Sequence, residues 1–515
     1  MKVLTIDIKT KSAVSLRDVG IFAYAGHKTT MPVGIALQED DNSPEIWLPP
    51  DLRTSQCAPL SDAELCDVIQ RADLIQAFDM TMEYALWKYM LRRIYPWFPP
   101  VPEAKLLCIS ARAAKMGLPS SMHMLGREFS LPVDEAYSMT KHLHSATSFR
   151  KGAGKAVSGL ADRFKSALSM ETQVAQSLPG LPEAEQRLWR SGLAMNDRGI
   201  GIDVSRLRQY QKQVVVKRRA MIDEFVALTG IRNPMDGQLL LAYFKQQNIP
   251  VKSLHTDDLR NFAAQMPAGR EKRVVELRWL IGLQHQQMSA MASNLLQADS
   301  RIRGLFIYHH TPAGEWGIRH LSKMTDLPRF FLPSVGCKFR VCLGENLAQN
   351  VHSWLISGNG IAPGAFACGL LKCCKHAVSR PGVTEKFGRL RIACMETFLK
   401  VMLPSGRDLF FYAPQTDQDG ILSFADGYAR NCSRRLLTAG FLLQQVENGL
   451  ARDIMAFVME NLALNGFMPV WAGADRIITE APFDEHLDKV FQVLVQKKPQ
   501  WAMGIQYQLN SETKK

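Results

Sequence analysis

No apolar run in this 515-residue chain approaches the ~20 residues a membrane span requires, so no membrane role is expected. Its opening residues alternate charged and apolar in the manner of a strand, without the basic-then-apolar order of a secretory leader. The ten cysteines are scattered and form no disulfide framework, which suits a reducing cytoplasm. Internal repeats and long low-complexity stretches are also missing, so solenoid and disordered classes are set aside. Acidic residues are outnumbered, 49 against 62 basic, and the net charge of +13 points to a polyanionic partner.

What is present is enough for several cores: 46% of the residues are hydrophobic and the length allows two to four domains. Residues 1–135 alternate short β-like runs (VLTIDI, VGIALQ, IWLPP) with helical ones (LSDAELCDVIQRA, MEYALWKYMLRRIY), an α/β pattern. From Asp134 to about Lys165 the pattern loosens, and a loop is expected. Between Pro182 and Asp299 nearly all is helix, with Asp203 and Ser205 as candidate caps of a long helix that Gly230 ends. That helix carries Arg206, Arg208, Lys212, Lys217, Arg218 and Arg219, either a solvated face or a rail for phosphates. Strands return after Arg303 in GLFIYHH, CKFRVCL, RDLFFYA, MPVWAGA and RIITEAP, with a long helix around ENGLARDIM. Cys337, Cys342, Cys368, Cys373, Cys374 and His376 lack the usual Cys-x2-Cys zinc spacing and read as small apolar residues.

Several blocks occur in an order that resembles phage-type family A DNA polymerases. They are DIKTKSAVSLRDVGIFAYA, ISARAAKMGLPSSMHMLGREFSLPV, LWRSGLAMNDRGIGIDV, RIRGLFIYHHTPAGEWGIRHLSKMTDLPR, LPSGRDLFFY, ENGLARDIM and the late PQWAMG. The resemblance implies a multidomain α/β and α+β protein. Its expected parts are a ribonuclease H-like 3′–5′ exonuclease domain over 1–180, a helical thumb over 181–302, and a polymerase palm over 303–515. The fingers within that palm are reduced to about 358–403.

The residues that the family's chemistry requires are largely replaced. Two-metal phosphoryl transfer needs carboxylates, and a lysine cannot stand in for one. The exonuclease pair falls on Asp7 and Lys9, and the next motif on Asp79, Met82 and Glu83. The last exonuclease carboxylate falls near Ala167, with Asp162 or Glu171 as possible substitutes. In the palm, Leu343 stands where the first aspartate belongs, with Glu345 two residues on, and Asp475 survives beside Arg476 in the last motif. No nucleotide-gripping helix of family spacing is found before Leu403. Arg319, Arg407 and Arg452 remain as phosphate contacts implied by the resemblance, while Glu315 and Asp326 replace family Arg and Asn.

The expectation is therefore a phage or prophage polymerase relative, catalytically silent and without a cofactor, that binds primer–template or single-stranded DNA or replication proteins in a bacterial cytoplasm. Two alternatives stand beside it. One is an active, Mg2+-dependent polymerase, alone or completed by a second chain. The other is a scaffold that docks on a polymerase or helicase without touching DNA.

Overall fold

The computed structural model describes residues 1–53, 58–131, 154–251, 253–290, 296–319, 331–332, 337–342, 347–357, 362–429, 432–473, 476–482, 484–507 and 509–514. The chain divides into two compact units. The first comprises residues 1–199, 303–319 and 333–515; the second comprises 200–302 and 320–332.

The first unit begins with β1 (Val3–Lys11), whose interior positions are almost all buried because both faces of the sheet are covered. β2 (Met31–Glu39) and β3 (Glu45–Trp47) pair antiparallel on one side of it. β4 (Leu74–Ala77) and β5 (Leu106–Cys108) run parallel on the other. The resulting order β3-β2-β1-β4-β5 is a mixed sheet, consistent with the α/β pattern of the sequence. Helix Asp62–Arg71 joins β3 to β4 and opens with a complete capping box from Ser61 and Glu64. Helix Gly154–Ser177 lies on the sheet, burying Leu160, Ala161, Phe164 and Leu168 against Val33, Ala36 and Ile46. Residues 134–153 of the expected loop lie outside the described residues, but its end is corrected: from Gly154 the chain is helical, because the i, i+4, i+8 spacing of Leu160, Phe164 and Leu168 supplies an apolar stripe.

Two further large sheets belong to this unit. Strands Met468–Ala472, Arg476–Ala481, Cys337–Cys342 and Asn510–Lys514 form an antiparallel sheet in that order. The second is a six-stranded meander running from Thr384–Phe387 to Arg434–Leu436 in sequence order. Its first three strands fall inside or beside the stretch expected to be reduced fingers, which holds helix Pro363–Ser379 followed by meander. Helix Ala439–Leu464 is buried along most of its length, from Leu442 through Leu450, Ile454 and Val458 to Leu462.

The second unit is helical: Val204–Thr229, Gly237–Gln246, Thr256–Gln265 and Arg270–Ala290. They close around Phe225, Leu240, Phe244, Leu259, Val274 and Ile281. A small sheet of Phe331–Leu332, Ile200–Ile202 and Arg301–Ile302 completes it. Of the two candidate caps Asp203 is the one used, accepting the Arg206 N–H, while Ser205 lies inside the helix and donates to Asp203; Gly230 ends the helix with φ +73.

Candidate functional site

β1 turns Asp7 and Lys9 to one face, two residues apart as strand pleating requires. The helix that starts at Met80, capped by Asp79, brings Glu83 to the same place, where its Oε2 accepts the Ile8 N–H at 3.0 Å. Helix Gly154–Ser177 adds Glu171, which accepts the Phe78 backbone N–H. Of the two substitutes suggested by sequence, Glu171 is the one drawn in; it is buried, whereas Asp162 is exposed.

Three buried carboxylates therefore converge on one ammonium. Lys9 Nζ lies 2.5 Å from Asp7 Oδ2. Burial alone would lower the Lys9 pKa, but Asp7, Glu171 and Glu83 outweigh it and hold Lys9 above its ordinary value. Glu83 and Glu171 are pushed well above the usual carboxylate range, first by burial and then by the Asp7 charge. The residues present do not favour a divalent cation here, because Lys9 already sets a positive charge against Asp7, within reach of the fields of Glu83 and Glu171.

The palm positions are only partly visible. Cys342 and Arg476 are register partners, so the chain after one strand and before the next leaves the sheet at the same end. Leu343, Glu345 and Asp475 themselves lie outside the described residues, as does Asp326. Among the described residues, no group of three or more His, Cys, Asp or Glu is placed to hold a metal ion.

Arg407 and Arg452 are not surface contacts. Arg452 binds both Glu185 oxygens at 2.7 Å and donates to the Gly314 carbonyl at 3.1 Å. Arg407 Nε meets Asp453 Oδ1 at 2.6 Å, and its Nη2 donates to the Gly449 carbonyl at 2.9 Å. Both side chains are about one-twentieth exposed. Their reading as phosphate contacts is corrected: a guanidinium spent on buried carboxylates and carbonyls is part of the core. Burial would raise the Glu185 pKa, but Arg452 and Arg407 hold it far below the usual carboxylate range. Gly314 has φ +78, and a Cβ there would stand 2.5 Å from Arg407 Nη1, so both backbone and space require glycine. Sequence reasoning missed Glu185 as the partner, since 267 residues separate it from Arg452.

Arg319 is about one-third exposed and lies 3.7 Å from Asp79. Glu315 is held by Thr311 and Asn448.

The basic helix of the second unit keeps its charges outside. Arg206, Arg208, Lys212, Lys217 and Arg219 are exposed, and Arg218 is half-buried. At about 100° per residue, Arg208, Lys212 and Arg219 fall within about 40° of one another, about 130° from the buried stripe. That stripe consists of Leu207, Val214 and Phe225. Arg206 and Lys217 form a second pair on the other flank by the same geometry.

No protein-family model matches the chain. It is 23% identical over 348 residues to a DNA polymerase of Bacillus phage SP02, a match covering 64% of this chain and 52% of that polymerase. The chain thus spans about half the length of the curated relative it matches. Among solved structures it is similar to the POL domain of Pol1 from M. smegmatis, determined in complex with DNA primer–template and dNTP. The TM-score is 0.54 at 12% identity, covering 100% of this chain and 95% of that one. At such identity the likeness speaks for the fold.

Proposed function

From a chain that is family A polymerase-like, similar in sequence to a phage DNA polymerase and in fold to a Pol1 polymerase domain, we propose a DNA-binding protein of phage replication that performs neither polymerisation nor 3′-end degradation. The observation that carries this reading is Lys9. Nuclease chemistry needs a cation held between carboxylates, and here the chain supplies its own, 2.5 Å from Asp7. The replacement of the first palm aspartate by Leu343 argues the same way for polymerisation. DNA binding is assigned to the exposed stripe Arg208, Lys212 and Arg219, with Arg206 and Lys217 as flanking contacts. Arg319 is the remaining candidate in the first unit.

The test is binding of a fluorescent primer–template over a series of salt concentrations. Steep weakening with salt supports the reading, because phosphate contacts release counterions. Salt-insensitive or absent binding overturns it. A second reading, docking on another replication protein, is favoured by exposed Val383, Met395 and Leu436 on and beside the meander, and would follow from absent DNA binding.

A further inference from the structure

In the second unit, helices Val204–Thr229 and Arg270–Ala290 pack along one another. They run antiparallel: Arg270 Nη2 donates to the Leu228 carbonyl at 2.6 Å, and about one turn on, Arg273 Nε meets Glu224 at 2.7 Å. About one and a half turns further along each helix stand Arg218 and Arg278, so both leave their helices at one level of the seam. Neither sits on a solvent face. At about 100° per residue, Arg218 falls within about 40° of the buried stripe of Leu207, Val214 and Phe225. Arg278 stands about one turn from Val274 and from Ile281, both in the apolar core, and is itself 6% exposed.

This positive pair is unanswered. The Nε of each side chain is buried without a hydrogen-bond partner among the described residues. Burial lowers the Arg278 pKa, and no carboxylate field counters it. Of the acids on these two helices, Glu224 and Glu276 are engaged by Arg273, while Asp223 and Glu271 are exposed. On the neighbouring helices, Asp236 caps its own helix and Asp258 is exposed. Two guanidiniums in an apolar seam cost free energy unless an anion joins them.

The charge to be matched is double. A phosphodiester carries a single negative charge, whereas a terminal phosphate carries about 1.5 to 2 near pH 7, with three acceptor oxygens. Having one substituent rather than two, it reaches into a seam that a strand backbone only passes over. Arg218 is half-buried, which leaves the pair reachable from its side. We propose that Arg218 and Arg278 together bind the dianion of a terminal phosphate, either as inorganic phosphate or on the 5′ end of a DNA strand. The strand-end form rests on the DNA-binding reading; the free form does not.

The experiment titrates the full chain with inorganic phosphate by calorimetry. By fluorescence anisotropy it then compares one 3′-labelled single strand bearing a 5′-phosphate or a 5′-hydroxyl. Inorganic phosphate is expected to bind saturably, and the phosphorylated strand about tenfold more tightly than the hydroxyl form, the size of one charge-assisted contact. Either result alone supports the site and identifies the source of its phosphate. Arg278→Met should lose both effects while the 5′-hydroxyl strand binds as before through the exposed stripe. In phosphate-free buffer that variant should melt higher than the unaltered chain, because a buried unpaired charge is gone, and added phosphate should no longer raise its melting temperature. Absence of both phosphate binding and strand preference overturns the proposal, as does their persistence in folded Arg278→Met and Arg218→Met. Failure of the unaltered chain to bind the 5′-hydroxyl strand would count against the DNA-binding reading alone, with the calorimetric arm still deciding the phosphate site.

Discussion

Lys9 makes three carboxylates tolerable in one buried place, and its removal should show what it does there. In Lys9→Met the cluster of Asp7, Glu83 and Glu171 loses its counter-charge. A loss of about 3 kcal/mol is expected at neutral pH, of the size seen when a buried pair is broken. The loss should shrink toward pH 5, because Glu83 and Glu171 have raised pKa values and take up protons readily. Chemical denaturation at both pH values checks this; an equal loss at both would mean that the cluster is not coupled. Manganese should raise the melting temperature of Lys9→Met and leave that of the unaltered chain unchanged. Lys115 has the opposite sign. Its folded pKa of about 8 lies below the ordinary 10.5, so the unfolded chain binds more protons between those values. Its buried charge is therefore a cost present in full below pH 8 and relieved as pH rises toward about 10.5, worth about 3 kcal/mol. The stability gap between Lys115→Met and the unaltered chain should change by that amount across the window.

At the scale of elements, the tightest of several contacts between the N-terminal layer and the meander is a backbone crossing. The Gly117–Leu118 backbone passes so close to Gly427 that a Cβ there would stand 2.3 Å from the Gly117 carbonyl oxygen. Tyr428 adds a hydrogen bond to the Ala114 carbonyl at 2.5 Å, and His309 Nδ1 lies 2.9 Å from the same hydroxyl. Gly427→Ala should cost at least about 3 kcal/mol, because backbone on both sides cannot yield as a side chain would. Thermal unfolding measures it; a loss below about 1 kcal/mol would mean the crossing is loose. In the second unit, changing Arg208, Lys212 and Arg219 together to alanine would remove the three proposed phosphate contacts. The slope of log affinity against log salt should fall by about 2 to 3, with helicity unchanged. Val3–Lys11, the capped helix at Asp203 and the long helix around ENGLARDIM were legible because strand alternation, caps and apolar stripes are local. The helix from Gly154 was hidden by the Gly, Ser and Lys residues that precede its apolar stripe. The meander was hidden because the resemblance assigned Thr384–Met402 to fingers, although Leu390–Met395 alternates buried and exposed at its start as a strand does. Burial of Arg407 and Arg452 was not legible: their partners come together only when distant segments fold.

At the scale of the whole molecule, a polymerase-like fold is maintained by cores that do not depend on catalytic carboxylates. Leu450, Ile454 and Val458 of the long helix, Phe339 of strand Cys337–Cys342 and Trp87 of the first unit all belong to one continuous apolar cluster. A fold kept in this way can retain a nucleic-acid surface after its chemistry has gone, since affinity rests on exposed cations and catalysis on a few placed oxygens. The most direct test is a single experiment on the purified chain, with labelled primer–template and all four deoxynucleotides in magnesium and then in manganese. Salt-sensitive binding with neither extension nor shortening of the primer is the predicted result. Extension that disappears in Asp475→Ala would contradict the account and return the chain to the active polymerases.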